Sequence, residues 1–323
     1  MRTITVLIAL FASGSALAAE VTIQEFAIPT PYSSPVGIAA DSKGNIWFTE
    51  QNGNKIGVFI PKDRSFKEYE VPFPGSPAGI AVAGDGKVWF VNSTGNSIVS
   101  FNPSTEKFDG YPLAIEGSNP TDIALGDDGI VWFVERNRNR IGSFAPETGK
   151  LKEYRLITPD SQPSSIAIDH KGNIWVTEAN GNRLARLDPV KESIKEYLIP
   201  TPFANPSDVV IDDKGNVWFS EMVPGIIGML DPLSGRFNEA VIPTRNSVIT
   251  NIAVDMKGRI WFTENRGNKI GLFDPLNAAF SEYEIPTYKS LPVGITLDSK
   301  GRVFFTESHR DANKIGMIEI DGP

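Results

Sequence analysis

Short apolar runs, rich in β-branched and aromatic residues and bounded by Gly, Asn and Asp, follow one another along the whole chain, a pattern that predicts strands rather than helices. One stretch sets the phase: Gly44-Asn45-Ile46-Trp47-Phe48-Thr49-Glu50, then Gly53-Asn54-Lys55-Ile56-Gly57. Its tryptophan recurs as Trp47, Trp89, Trp132, Trp175, Trp218 and Trp261, a step of 42 and then four of 43, and Phe304 takes the seventh place after another 43. A constant period in the forties built from strands is that of a four-stranded blade. The pattern predicts an all-β chain, a seven-bladed β-propeller.

Turn chemistry orders the strands within a blade. Residues 37–40 form the inner strand, Asp41-Ser42-Lys43-Gly44 a hairpin turn, residues 45–49 the second strand and residues 55–59 the third. Segments such as Phe66-Lys67-Glu68-Tyr69-Glu70-Val71-Pro72 follow as the outer strand. Alternation sends Ile46 and Phe48 to one face and Trp47 and Thr49 to the other, and a blade sandwiched between two neighbours can be apolar on both. The tryptophans are therefore read as interblade core. After Asn313-Lys314-Ile315-Gly316 too little chain remains for an outer strand, so residues 23–28 are expected to complete the last blade and close the ring.

Composition narrows the class. Seven blades nearly exhaust 323 residues, leaving one domain at 19–323. Met1-Arg2-Thr3, an apolar run over residues 4–12 and the small-residue ending Ala16-Leu17-Ala18 read as a signal peptide at 1–18, hence a periplasmic or secreted protein. A net charge of −8 without a basic run argues against nucleic acid as a partner, and no later segment has the apolar length of a membrane span. The absence of cysteine excludes disulfides and thiol chemistry.

Candidate chemistry gathers on the face that carries the turns between second and third strands. There the second strands end in Glu50, Asn92, Glu135, Glu178, Glu221, Glu264 and Glu307. Lys55, Arg140, Arg183, Lys269 and Lys314 follow shortly after, while neutral Asn92 is followed by neutral Ser97, which reads as ion pairs bracing the turn. Glu221 has Ile226 instead of a cation and is the carboxylate left for ligand binding. The inner strands begin with Gly37, Gly79, Asp122, Ser165, Asp208, Asn251 and Gly294. Asp122, Asp208 and Asn251 offer hard oxygens near the axis for Ca²⁺ or Mg²⁺, with turn capping as the alternative; Ser165 joins them as a ligand-binding candidate. Of two histidines, His170 sits in an opposite-face turn, and His309, a further ligand-binding candidate, lies in a loop two residues longer than its counterparts on the candidate face.

Asn-Ile-Trp-Phe-Thr-Glu followed by Gly-Asn-Lys-Ile-Gly, with Pro-x-Gly-Ile leading three units, resembles the virginiamycin B lyase (streptogramin lyase) family. The resemblance implies a propeller that opens a cyclic depsipeptide ester by elimination, using Mg²⁺ and a histidine base in a Pro-His-Gly segment. Here the matching segments are Ser34-Pro35-Val36-Gly37, Ser76-Pro77-Ala78-Gly79 and Leu291-Pro292-Val293-Gly294, and the other blades carry Thr121, Ser164, Ser207 and Thr250. None supplies a base near neutral pH. The sequence therefore favours a binding propeller that engages a small molecule, cell-wall fragment or protein at the channel mouth. The alternative is a metal-dependent lyase or a lactone hydrolase resembling gluconolactonase propellers.

Overall fold

The computed structural model describes residues 4–6 and 20–321. The proposed leader at 1–18 lies outside the described residues except for Ile4–Val6, a short strand beside the edge of the last blade. Strands form seven antiparallel sheets arranged in sequence order, and among the described residues the only helical turn is a short 3₁₀ segment at Arg136–Arg138. The first blade contains Pro35–Ala40, Ile46–Glu50, Lys55–Ile60 and Ser65–Glu70. The other internal blades repeat that order.

The ring closes as the alternation predicts. Glu20–Ala27 pairs antiparallel with Lys314–Asp321, with Ile23 opposite Ile318 and Ala27 opposite Lys314, and so supplies the outer strand of blade 7. The last sheet thus draws on both ends of the chain, and neither end leaves an open edge beside Lys314–Asp321.

Each gap between blades holds one hydrophobic cluster. Trp47 packs with Val88, Phe90 and Phe101 of blade 2, whereas Ile46 and Phe48 pack with Phe304, Ile315 and Met317 of blade 7. The two faces of one strand therefore serve two interfaces, as period-two alternation requires. Third-strand glycines fit the ring edges: at Gly57 a Cβ would collide with Phe48, its cross-strand partner. On the lower face, Asp212 accepts the backbone N–H groups of Lys214 and Asn216 and the indole N–H of Trp218, at 2.9 Å each. The Asp-x-x-Gly turn thus caps itself and fixes the tryptophan rotamer.

Near the axis the inner strands are bulged, with register shifts between Pro35 and Ile38 and at the same place in every blade. A bulge frees backbone groups and turns side chains out of the ladder. Thr49 answers the first need: its hydroxyl accepts from the N–H of Gly37 at 2.9 Å and donates to the carbonyl of Ala78 in the next blade at 2.8 Å. Bulge and hydroxyl together tie neighbouring blades at the channel.

Candidate functional site

The bulged positions meet in a cavity of about 480 Å³ at the upper end of the channel, lined by Gly37, Gly79, Asp122, Ser165, Asp208, Asn251 and Gly294. One side is tight. A Cβ on Gly37 or Gly294 would strike a backbone carbonyl of the neighbouring blade. The other side, over blades 3 to 6, carries polar side chains, and Gln51, Arg136 and Met222 reach the cavity from the turns between second and third strands.

The polar side is one continuous hydrogen-bonded chain. Asp122 accepts from the N–H of Ile123 at 2.9 Å and from the N–H of Ile166, in the next blade, at 3.1 Å. Asp208 accepts from Val209 at 3.0 Å, from Ile252 at 2.8 Å and from the Asn251 amide at 3.1 Å. Ser165 joins the two acids, its Oγ 2.8 Å from Asp122 Oδ2 and 2.6 Å from Asp208 Oδ1. Burial, and then the charge of Asp208, push Asp122 up to about 7, while burial raises Asp208 against the donors that favour its ionised form.

Asp122, Ser165, Asp208 and Asn251 thus come together as the sequence placed them. Their chemistry suits a hydrogen-bonded network better than a resident cation. Asp122 Oδ2 and both oxygens of Asp208 each carry two hydrogen-bond contacts, so only Asp122 Oδ1 keeps a lone pair free for a hard ion. Among the described residues no group of three or more His, Cys, Asp or Glu converges on one point.

Glu221 and His309 lie elsewhere. Glu221 is fully buried inside blade 5, and burial, then the charge of Glu239, push it up to about 8. His309 is half-buried in its loop, where Nδ1 accepts from the N–H of Asp311 at 3.3 Å, and it does not line the cavity. His170, on the lower face, contacts the carbonyl of Asp212 at 3.2 Å.

The expected ion pairs take a different partner. Lys55 lies opposite Glu50 in register, yet its ammonium pairs with Glu68 of the outer strand at 3.8 Å. Arg140 with Glu153, Arg183 with Glu196, Lys269 with Glu282 and Lys314 with Glu25 repeat this arrangement. The second-strand glutamate sits behind the pair, sealed from water, with no hydrogen-bond donor properly placed on either oxygen. The nearby Ser33 hydroxyl, for example, is committed to Asn313 Oδ1 at 3.0 Å. Burial is the first cause that pushes Glu50 up to about 7, Glu178 to about 8 and Glu307 to about 9. Each such blade holds a buried carboxyl beside an ion pair. The outer glutamates were legible as the Glu of Lys-Glu-Tyr at Glu68, Glu153 and Glu196, of Ser-Glu-Tyr at Glu282 and of Gln-Glu-Phe at Glu25, and the loss of this residue in blade 2, where Gly110 takes the place, is the signal that links them to Asn92 and Ser97.

The structure gives a role to the hydroxyls that stand where the sequence resemblance implies a histidine. Thr121 donates to the carbonyl of Ser164 at 3.0 Å, Ser164 to Ser207 at 3.0 Å, Ser207 to Thr250 at 2.9 Å and Thr250 to Val293 at 3.1 Å. These side chains stitch blade to blade.

A seven-bladed propeller with a polar half-ring at the channel mouth defines the class. Residues 15–230 and 194–323 match the virginiamycin B lyase family, and the chain belongs to it. It is similar to a streptogramin B lyase structure at 31% identity and a TM-score of 0.88, covering 93% of this chain and 98% of that one. A catalytically inactive histidine-to-alanine variant of virginiamycin B lyase from Staphylococcus aureus, solved with quinupristin, is 32% identical with a TM-score of 0.86, covering 93% and 99%. Virginiamycin B lyase from Bacillus licheniformis is 46% identical over 39 residues, a match that spans 12% of this chain and 13% of that protein.

Proposed function

We propose that this protein is an exported binding propeller that holds a small molecule of the cyclic-depsipeptide kind in the upper cavity without opening it. The observation that carries this reading is the chemistry of the cavity wall, which offers hydrogen-bonding groups from Asp, Ser, Asn, Thr, Gln51 and Arg136 and no histidine. A general base within reach of the proton it removes is worth about 10² to 10⁴-fold in rate. Asp122 and Asp208 are engaged by backbone donors, and the hydroxyls of Thr121, Ser164, Ser207 and Thr250 are engaged by carbonyls. The relative that was made inactive by losing a histidine was nonetheless solved with quinupristin, which supports binding without turnover on this scaffold. Fold alone would not separate the two outcomes. Export accords with the ring closure, because cleavage after Ala18 would leave Glu20–Ala27 intact as the closing strand.

Isothermal titration with quinupristin, followed by chromatography of the same mixture after prolonged incubation, tests the reading. Binding is expected, with the ester intact and with Asn251→Leu or Ser165→Leu weakening it. Accumulation of linear product at an enzymatic rate would replace this reading with the metal-dependent lyase or lactone hydrolase. Absence of any heat of binding would remove the cavity as a depsipeptide site.

A further inference from the structure

Blade 2 breaks the pattern of the other six at one place. Elsewhere a second-strand glutamate and an outer-strand glutamate face each other, with a cation beside them in every blade except the fifth. Blade 2 has Asn92, Ser97 and Gly110 at those three positions. The linker that feeds it changes too. Thr30, Thr158, Thr201, Thr244 and Thr287 each donate a backbone N–H to the outer-strand glutamate of the next blade. Ile115 stands in that place before blade 3 and Phe73 before blade 2, where the linker is also one residue shorter, which accounts for the single 42-residue step between tryptophans.

These changes act together in space. The Phe73 ring lies over Gly110, where a Cβ would meet its Cε2 at 2.9 Å. Gly75 and Gly95 have no room for a Cβ because the buried Asn92 amide packs against them. A buried charge cluster has thus been exchanged for a cavity of about 440 Å³ with Phe73, Pro74, Gly95, Ser97, Gly110 and Pro112 in its wall. No charged side chain lines it. Ser97 is 6% exposed, and its hydroxyl makes no side-chain hydrogen bond among the described residues. Pro74, Thr94 and Pro112 are exposed at the rim, so the cavity opens to solvent. A solvent-open recess of this size, with an unpaired hydroxyl and no charge in its wall, can seat a small guest.

We propose that blade 2 carries a second binding site, independent of the channel cavity, for a small neutral aromatic molecule bearing an amide or hydroxyl. Its ring stacks on Phe73 between Pro74 and Pro112, and its polar substituent meets the Ser97 hydroxyl. Neutrality follows from the uncharged wall, since a charged guest would lose its hydration without a counter-charge. A flat ring follows from Phe73, whose aromatic face lines the recess.

Ligand-observed saturation-transfer NMR and titration with benzamide, benzoate and benzylamine test this on the full chain. Benzamide is expected to bind with a Kd on the order of 1 mM, as suits so small a molecule, and both charged analogues at least tenfold more weakly. Restoring the arrangement of the other blades with Phe73→Thr, Asn92→Glu, Ser97→Lys and Gly110→Glu should abolish benzamide binding. Phe73→Ala alone should weaken it at least tenfold while the melting temperature reports a folded ring. Equal binding of all three probes, or binding unchanged in Phe73→Ala, would overturn the proposal; so would the absence of benzamide binding to the parent.

Discussion

Ser165 Oγ lies 2.6 Å from Asp208 Oδ1, across the boundary between blades 4 and 5, while it also lies 2.8 Å from Asp122 Oδ2. A hydroxyl has one proton to give. Both carboxylates therefore draw on the same hydroxyl proton, and the serine bridges the two buried acids. Ser165→Ala should cost about 1–3 kcal/mol by leaving two buried acids without their bridge, read as a fall in melting temperature, and Ser165→Thr should recover part of it. An unchanged melting temperature in Ser165→Ala would mean that the bridge adds nothing.

Six buried glutamates should make the protein less stable as pH rises. Glu50, Glu178, Glu221, Glu264 and Glu307 are pushed from the ordinary 4.5 to between about 7 and about 9, and Glu135 is raised as well, in every case chiefly by burial. For acids raised by folding, the native state binds more protons than the unfolded chain between the two pKa values, so unfolding free energy falls with pH there. This contribution is full below about pH 4.5, is lost progressively up to about pH 9, and is constant beyond. The urea midpoint should accordingly drop between about pH 5 and about pH 9, with a shallower slope in Glu307→Gln. A midpoint that rises over that window would contradict the placement of these groups.

Deleting residues 21–30 should destroy the closure. The segment contributes Val21, Ile23, Phe26 and Ile28, all buried, and its loss would bare the edge of Lys314–Asp321. Aggregation or a broad, non-cooperative melt is expected. A truncated protein that melts like its parent would show that the ring does not depend on this strand.

Divalent cations should leave the melting temperature of the parent unchanged, because the oxygens of Asp122 and Asp208 already serve N–H donors. A ligand that binds only the native state raises its stability. A rise with Ca²⁺ or Mg²⁺ in the parent that EDTA reverses and Asp208→Asn abolishes would place an ion in the half-ring after all.

Much of the architecture was written in one dimension. A tryptophan every 42 or 43 residues, and strands alternating between turn residues, dictate the number of blades and which face of Ile46-Trp47-Phe48 meets which neighbour. The alternation of residues 23–28, shared with the outer strands of the other blades, likewise made the closure by Glu20–Ala27 legible. The inner-strand series from Gly37 to Gly294 was also legible, since equal spacing puts equivalent residues around one axis. Partner choice was not. Lys55 is adjacent to Glu50 in the hairpin, yet Glu68, from a strand farther along the chain, takes its charge. In the same way only the folded ring shows Ser165 bridging Asp122 and Asp208, or Phe73 folding over Gly110. Periodicity fixes direction along a strand, whereas hydrogen-bond pairing and cavity shape depend on which side chains from different blades reach the same few ångströms of space.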